Sequence, residues 1–88
     1  MAVVKLYANL RVIIGGMELH IPGKDVHSVL VKLTRDFPAL APFLFESGKL
    51  RPRVILTLNG RTLDRANCMS TLVAEQDQIA IFPPVAGG

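Results

Sequence analysis

The chain is poor in the residues that build disulfide-linked or membrane-spanning proteins. It has one cysteine, no tryptophan and only five other aromatic side chains, one tyrosine and four phenylalanines. The lone Cys68 cannot close an internal disulfide, and no apolar run approaches the roughly 20 residues that cross a bilayer. The first residues also lack the basic flank and long apolar segment of a signal peptide. We therefore expect a cytoplasmic protein with no membrane partner.

Excess charge of either sign is also scarce. Ten lysines and arginines oppose seven acidic residues, which gives a formal charge of +3. The basic residues are spread along the chain, and the one cluster, residues 49–53, is interrupted by Leu50 and Pro52. This pattern is typical of a solvated loop ahead of a strand rather than of a nucleic-acid patch. No nucleic-acid partner is predicted.

Residue sets for catalysis are missing as well. His20 and His27 have no cysteine or carboxylate at metal-ligand spacing, so no metal site is predicted. Cys68 has no base near it in sequence and is interpreted as a packing residue. No P-loop or dinucleotide-binding glycine pattern occurs. We therefore expect a chain that is not itself an enzyme and holds no permanent cofactor.

What the sequence does contain is enough apolar residues for one small domain. Half of its 88 residues are hydrophobic. A chain of this size buries only about 60 to 65% of its unfolded surface. Some apolar surface is therefore left for a partner protein.

Alternation and helical spacing divide the chain into strands around one helix. Residues 3–9 alternate as a strand, Gly15-Gly16 supplies a turn, and residues 17–21 alternate again with Met17, Leu19 and Ile21 inward. Asp25 is a candidate N-cap for a helix that ends at Pro38. The helix has an apolar stripe on one side, formed by Val26, Val29, Leu30, Leu33 and Phe37.

The second half predicts two more strands. Residues 54–59 alternate and lead into Asn59-Gly60, a strong hairpin-turn signal. Residues 61–75 are irregular, with Leu63 and Leu72 expected to anchor in the core, and residues 78–82 form the last strand. The order fits an α+β fold of the ubiquitin-like β-grasp type, with a mixed sheet packed against one main helix and the last strand beside the first. We predict a domain over 1–82 and a flexible tail over 83–88.

The tail is the remaining candidate for chemistry. Pro83-Pro84 stops the last strand and favours an extended path, and Ala86 and Gly87 then form a slim stem behind the carboxylate of Gly88. Such a tail can thread a narrow tunnel into another protein's active site. Fraying alone explains a terminal Gly-Gly, but less well the paired proline and apolar strand that lead into it.

Residues 77–88 (DQIAIFPPVAGG) and 4–11 (VKLYANLR) resemble the MoaD family, ubiquitin-like sulfur carriers related to ThiS. The resemblance implies that an E1-like adenylating enzyme uses ATP to activate Gly88, which then becomes a thiocarboxylate. It implies a second partner too, the MoaE-like large subunit of molybdopterin synthase, which supplies catalysis in molybdenum or tungsten cofactor synthesis. This chain would be the small subunit.

The same resemblance marks a partner-binding face. It places Tyr7 and Phe82 on one outward surface, continued by Pro83 and Pro84, and gives Arg11 a partner carboxylate. Residues 45–53 are longer than in the shortest members and resemble branches that include a carrier for cysteine synthesis and archaeal ubiquitin-like modifiers. Cysteine synthesis and conjugation of Gly88 to lysines therefore stay open, as does a plain interaction domain with an incidental tail.

Overall fold

A computed structural model describes residues 1–64 and 66–83, and these residues form one mixed sheet crossed by a helix. The sheet has five strands: β1 (Ala2–Leu6), β2 (Glu18–Ile21), β5 (Ile55–Leu58), β6 (Arg61–Thr62) and β7 (Gln78–Phe82). Their spatial order is β2-β1-β7-β5-β6, with β1 and β7 parallel and the other neighbours antiparallel. The last strand thus lies beside the first, as the sequence predicted.

The main helix, α2 (Val26–Asp36), begins at the predicted cap. The Asp25 carboxylate accepts a hydrogen bond of 2.8 Å from the Ser28 amide, and the Ser28 hydroxyl accepts one of 3.2 Å from the Asp25 amide. This reciprocal pair satisfies N–H groups that have no partner inside the helix. The predicted stripe is confirmed, since Val26, Val29, Leu30 and Leu33 are fully buried.

The core lies between α2 and the inner face of the sheet. Alternate strand residues point into it, and Cys68 joins them as the packing residue that the sequence predicted. The buried strand residues are Ala2, Val4, Leu6, Ile21, Leu56, Ile79 and Ile81. This layer of one helix on one mixed sheet confirms the predicted α+β class.

Short elements complete the chain between the long ones. A 3₁₀ turn (Pro38–Leu40) and a one-turn helix α3 (Ala41–Leu44) follow α2, and a small hairpin joins β3 (Phe45–Glu46) to β4 (Lys49–Leu50). A second 3₁₀ turn spans Cys68–Ser70. The predicted turn after β5 is present, because Asn59 (φ 51°) and Gly60 (φ 87°) both adopt the left-handed conformations of a two-residue hairpin loop.

The first connection differs from the prediction. The strand expected over residues 3–9 ends at Leu6, and a five-residue helix, α1 (Leu10–Ile14), replaces the simple hairpin link. Ala8 is exposed and turns the chain with φ 56° instead of continuing the alternation of the expected strand. Burial of Leu10 explains the change, since a helical turn brings this side chain into the core, where it is fully buried.

Two further expectations about burial are wrong. Met17 is 44% exposed, because β2 begins only at Glu18. Leu72 is 76% exposed although it was expected in the core. The segment around Leu72 is extended and bonds to the start of α2 through Thr71 and Val73, so alternation turns Val73 inward and Leu72 outward. Leu63 does pack against the core.

Candidate docking face and chain exit

The outward face of the sheet carries an apolar row at the end where the chain leaves β7. In the parallel pair, Leu6 lies opposite Ile81, so Tyr7 and Phe82 follow side by side. Their rings stack with centroids 4.6 Å apart and planes inclined by 12°. On the other side of β7, Ile55 lies directly opposite Phe82. We call Tyr7, Phe82 and Ile55 the exit row.

Alternation along the strands keeps the exit row out of the core. Its strand neighbours Leu6, Ile81 and Leu56 point inward and are at most 3% exposed. Tyr7 and Phe82 are half-buried against each other, and Ile55 is 49% exposed. An exposed isoleucine beside two stacked aromatic rings is the kind of apolar surface that protein interfaces use.

The apolar character is confined to this end of the sheet. One step back along the strands, Lys5 lies opposite Ala80 and Thr57 lies on the other side of Ala80. Another step back, Val3 lies opposite Gln78. Apart from Val3, polar and small side chains therefore occupy the rest of the outward face of these strands, so a docking partner gains most beside the chain exit.

The opposite end of β7 is fixed by a polar clamp. The Asn59 side chain donates to the Asp77 carboxylate (3.0 Å) and accepts from the Gln78 amide (2.8 Å). The Ala74 amide donates to the other Asp77 oxygen at 2.8 Å. The bond from Asn59, followed by the Ala74 amide, lowers the pKa of Asp77 below its ordinary value. This clamp holds the register of β7 and hence the position of Phe82.

The other predicted site residues are distributed as follows. Pro83 lies directly after β7 and is half-buried. Arg11 is exposed on α1 beside a shallow cleft that includes Val12 and Met17, and not among the residues of the exit row. Pro84, Ala86, Gly87 and Gly88 lie outside the described residues, as does the rest of the predicted tail after Pro83. Binding roles for Tyr7, Arg11, Phe82 and Pro83 remain predictions.

Within 1–64 and 66–83, no three His, Cys, Asp or Glu side chains are grouped so that they could hold a metal ion. His20 lies 3.5 Å from Glu18 on the exposed face of β2. In the part of the chain that the structure describes, no helix is long and apolar enough to cross a membrane.

Ile55 was not among the residues that the sequence marked for docking. The sequence did indicate that Ile55 faces outward, because it alternates with the inward-facing Val54 and Leu56. What was missing was the pairing of β5 with β7, which sets Ile55 opposite Phe82. A long-range strand pairing of this kind has no local mark in the sequence.

Comparison with protein families matches residues 4–88 to the ThiS family. Among individual proteins, small archaeal modifier protein 3 of Haloferax volcanii is 32% identical over 87 residues, covering 96% of this chain and 95% of the relative. The similarity therefore runs through nearly the full length of both proteins.

Solved structures give the same fold. The solution structure of small archaeal modifier protein 1 from Methanosarcina acetivorans superposes with a TM-score of 0.89 at 37% identity, over 99% of this chain and 95% of that one. A chain of the Amycolatopsis orientalis BexX/CysO complex has a TM-score of 0.86 at 21% identity, with full coverage of both chains. The second likeness concerns the fold alone. Together they confirm the predicted ubiquitin-like β-grasp.

Proposed function

The chain belongs to the ThiS family of small ubiquitin-like sulfur carriers, and on that premise we propose that it carries sulfur on the carboxyl group of Gly88. The observation that carries the proposal is the family match, which extends to residue 88 and so includes the terminal Gly-Gly. The chain is expected to present the sulfur to other proteins, and those partner proteins are expected to supply the catalysis.

The chemistry needs two steps on a partner enzyme. A free carboxylate is a poor electrophile, so a Gly88 oxygen first attacks the α-phosphorus of ATP and pyrophosphate leaves. Sulfide released by the sulfur donor then attacks the acyl carbon of the adenylate, and AMP leaves with one carboxyl oxygen. The product is a thiocarboxylate on Gly88. ATP is thus a substrate of the E1-like adenylating enzyme and not a cofactor of this chain.

The exit row supports this proposal because of where it lies. A partner that must receive Gly88 needs a grip close to the point where the chain leaves the sheet. Tyr7, Phe82 and Ile55 offer apolar contact area there, and Pro83 follows Phe82 directly. Stacking already orders the two rings, so little side-chain entropy is lost on docking.

For the pathway, we propose sulfur donation in molybdopterin synthesis, with the chain as the small subunit of molybdopterin synthase. The support is the resemblance of the C-terminal segment to MoaD. The test combines the thiocarboxylated chain with a MoaE-like large subunit and a pterin precursor. We expect the dithiolene product to form, and mass spectrometry detects it. A fully thiocarboxylated chain that transfers no sulfur to the precursor would contradict this pathway.

A second candidate, protein modification, is favoured by the similar proteins themselves. Two of them, at 32% and 37% identity, are named small archaeal modifier proteins. In this function the activated Gly88 forms an isopeptide bond with lysines of other proteins. Proteomic digests should then contain lysines branched with a Gly-Gly remnant that vanish when Gly88 is deleted.

Two alternatives from the sequence have less support. Transfer of sulfur to an activated serine derivative would place the chain in cysteine synthesis, but the likeness to CysO is one of fold. A plain interaction domain requires no terminal chemistry. Deletion of Gly88 distinguishes the plain interaction domain from the other functions, because only an interaction domain would keep both its partner binding and its cellular phenotype after the deletion.

A further inference from the structure

A groove of about 810 Å³ opens beside the exit row, between the β3–β4 hairpin and strands β5 and β6. Leu50 and Pro52 line the groove from the segment after α3, and Thr62 and Leu63 line it from the segment that follows the Asn59-Gly60 turn. Phe82 and Pro83 also line it, so it is continuous with the exit row. Its volume and largely apolar lining are those of a site for an inserted side chain rather than of a flat surface.

Basic side chains outnumber acidic ones around the groove. Arg53 is the charged residue of its lining, is exposed, and makes no hydrogen bond or ion pair with residues 1–64 or 66–83. Lys49 and Arg61, adjacent in sequence to the lining residues Leu50 and Thr62, are likewise exposed, and their side chains make no hydrogen bond or ion pair within those residues.

The nearby acidic side chains are already engaged. Glu46 lies 3.5 Å from the guanidinium of Arg51. Asp64 accepts hydrogen bonds from the Ala66 amide (3.4 Å) and the Asn67 side chain (3.1 Å). The groove therefore has an apolar interior with cations at its rim, and both nearby carboxylates already accept hydrogen bonds or face a guanidinium among the described residues.

From this complementarity we propose that the groove binds a partner-protein segment in which a large apolar side chain is flanked by Asp or Glu. The apolar side chain enters the groove, and a flanking carboxylate pairs with the Arg53 guanidinium, which can hold it through two parallel hydrogen bonds. The proposal rests on the proposed function and deepens it, because it gives the chemistry of the contact a partner makes beside the chain exit.

The same features argue against other occupants. A second copy of this chain carries a net charge of +3 and the same basic rim, so the two rims would repel. A lipid surface needs apolar side chains that protrude, whereas this apolar surface is recessed and accepts an inserted group.

The test uses the full chain and NMR titration with a capped peptide containing Asp-Leu-Phe-Glu. Amide shifts are expected at Leu50, Thr57 and Thr62, which belong to the groove, and not at Gly15 and Gly16, which belong to the cleft on α1. A peptide with Lys in place of both acids, and one with Ala in place of Leu-Phe, should each bind at least about fivefold more weakly.

A pair of charge reversals tests the role of Arg53. Arg53→Glu should weaken the acidic peptide about fivefold or more, while Lys24→Glu, an equal charge change at an exposed residue away from the groove, should leave its Kd within about twofold. Both changes are at exposed side chains, and the amide spectra show directly whether each variant is folded.

Several outcomes would overturn the proposal: no groove shifts with the acidic peptide at millimolar concentration, equal weakening by both reversals, or stronger binding of the basic peptide. Concentration-dependent dimerisation through the same amides, equal shifts with phosphatidylserine vesicles, or groove shifts on removal of residues 84–88 would assign another occupant. Thiocarboxylation is read separately by intact mass, so a failure of the groove and a failure of the proposed function are distinguishable.

Discussion

Ile55 and Leu56 are neighbours on β5 whose side chains point to opposite faces, so truncating each one tests a different property. Leu56 is 3% exposed in the core and Ile55 is 49% exposed in the exit row. Leu56→Ala should lower the free energy of unfolding by about 2 to 5 kcal/mol, because it leaves a cavity. Ile55→Ala should lower it by less than about 1 kcal/mol, since much of the side chain is already in water.

The effect on partner binding should be reversed. Full burial of an isoleucine side chain is worth about 1.5 to 3 kcal/mol, so burying the exposed half on docking contributes about 1 kcal/mol. Ile55→Ala should therefore raise the Kd for the E1-like adenylating enzyme about fivefold. Leu56→Ala should change it less than about twofold once the folded fraction is taken into account.

Urea unfolding and isothermal titration calorimetry measure the two quantities on the same samples. An unchanged Kd for Ile55→Ala would contradict the assignment of the exit row as a docking face. Equal binding losses for the two variants would mean that stability, not surface, controls the interaction.

Further predictions concern the clamp and the turn. Asp77 has a folded-state pKa below its ordinary value of 3.8, so its stabilisation is present above that pH and is lost as pH falls through the lower value. Asp77→Asn should thus be less stable than the wild type at pH 7, and the difference should shrink as pH falls below the ordinary pKa and then through the lowered one; a difference in urea unfolding that does not change with pH would contradict this. Gly60→Ala should lower the free energy of unfolding by about 1 to 2 kcal/mol, because its φ of 87° is unfavourable for alanine. No heavy atom lies within 4 Å of the added methyl group, so the loss comes from the backbone conformation and not from a clash. Gly16→Ala, with equally open space and no positive φ, should change thermal stability by less than about 1 kcal/mol in either direction; equal losses would refute the conformational explanation.

Those parts of the fold that are encoded by neighbouring residues could be predicted from the sequence. Asp25 begins α2 because its carboxylate reaches an amide three residues later, and the stripe from Val26 to Leu33 needs only helical spacing. Asn59-Gly60 turns the chain because both residues tolerate positive φ. The resemblance also placed Tyr7 and Phe82 on one outward face, whereas the stacking of their rings was not predicted.

Features that depend on distant segments could not be predicted in this way. Helix α1 is only five residues long and would be unstable alone, so the burial of Leu10 decides its formation. Leu72 faces outward because its segment pairs with the start of α2, which its own sequence does not indicate. The groove joins Leu50, Leu63 and Phe82 from three separate parts of the chain.

The most direct test of the central claim is the intact mass of the chain after incubation with an E1-like adenylating enzyme, ATP and a sulfur donor. If Gly88 carries sulfur, the mass should increase by the exchange of one oxygen for sulfur, and the increase should be located on Gly88 by fragmentation and be absent from a chain that lacks this residue. An unchanged mass, with an enzyme shown to be active on another carrier and to bind this chain, would contradict the claim that Gly88 carries sulfur.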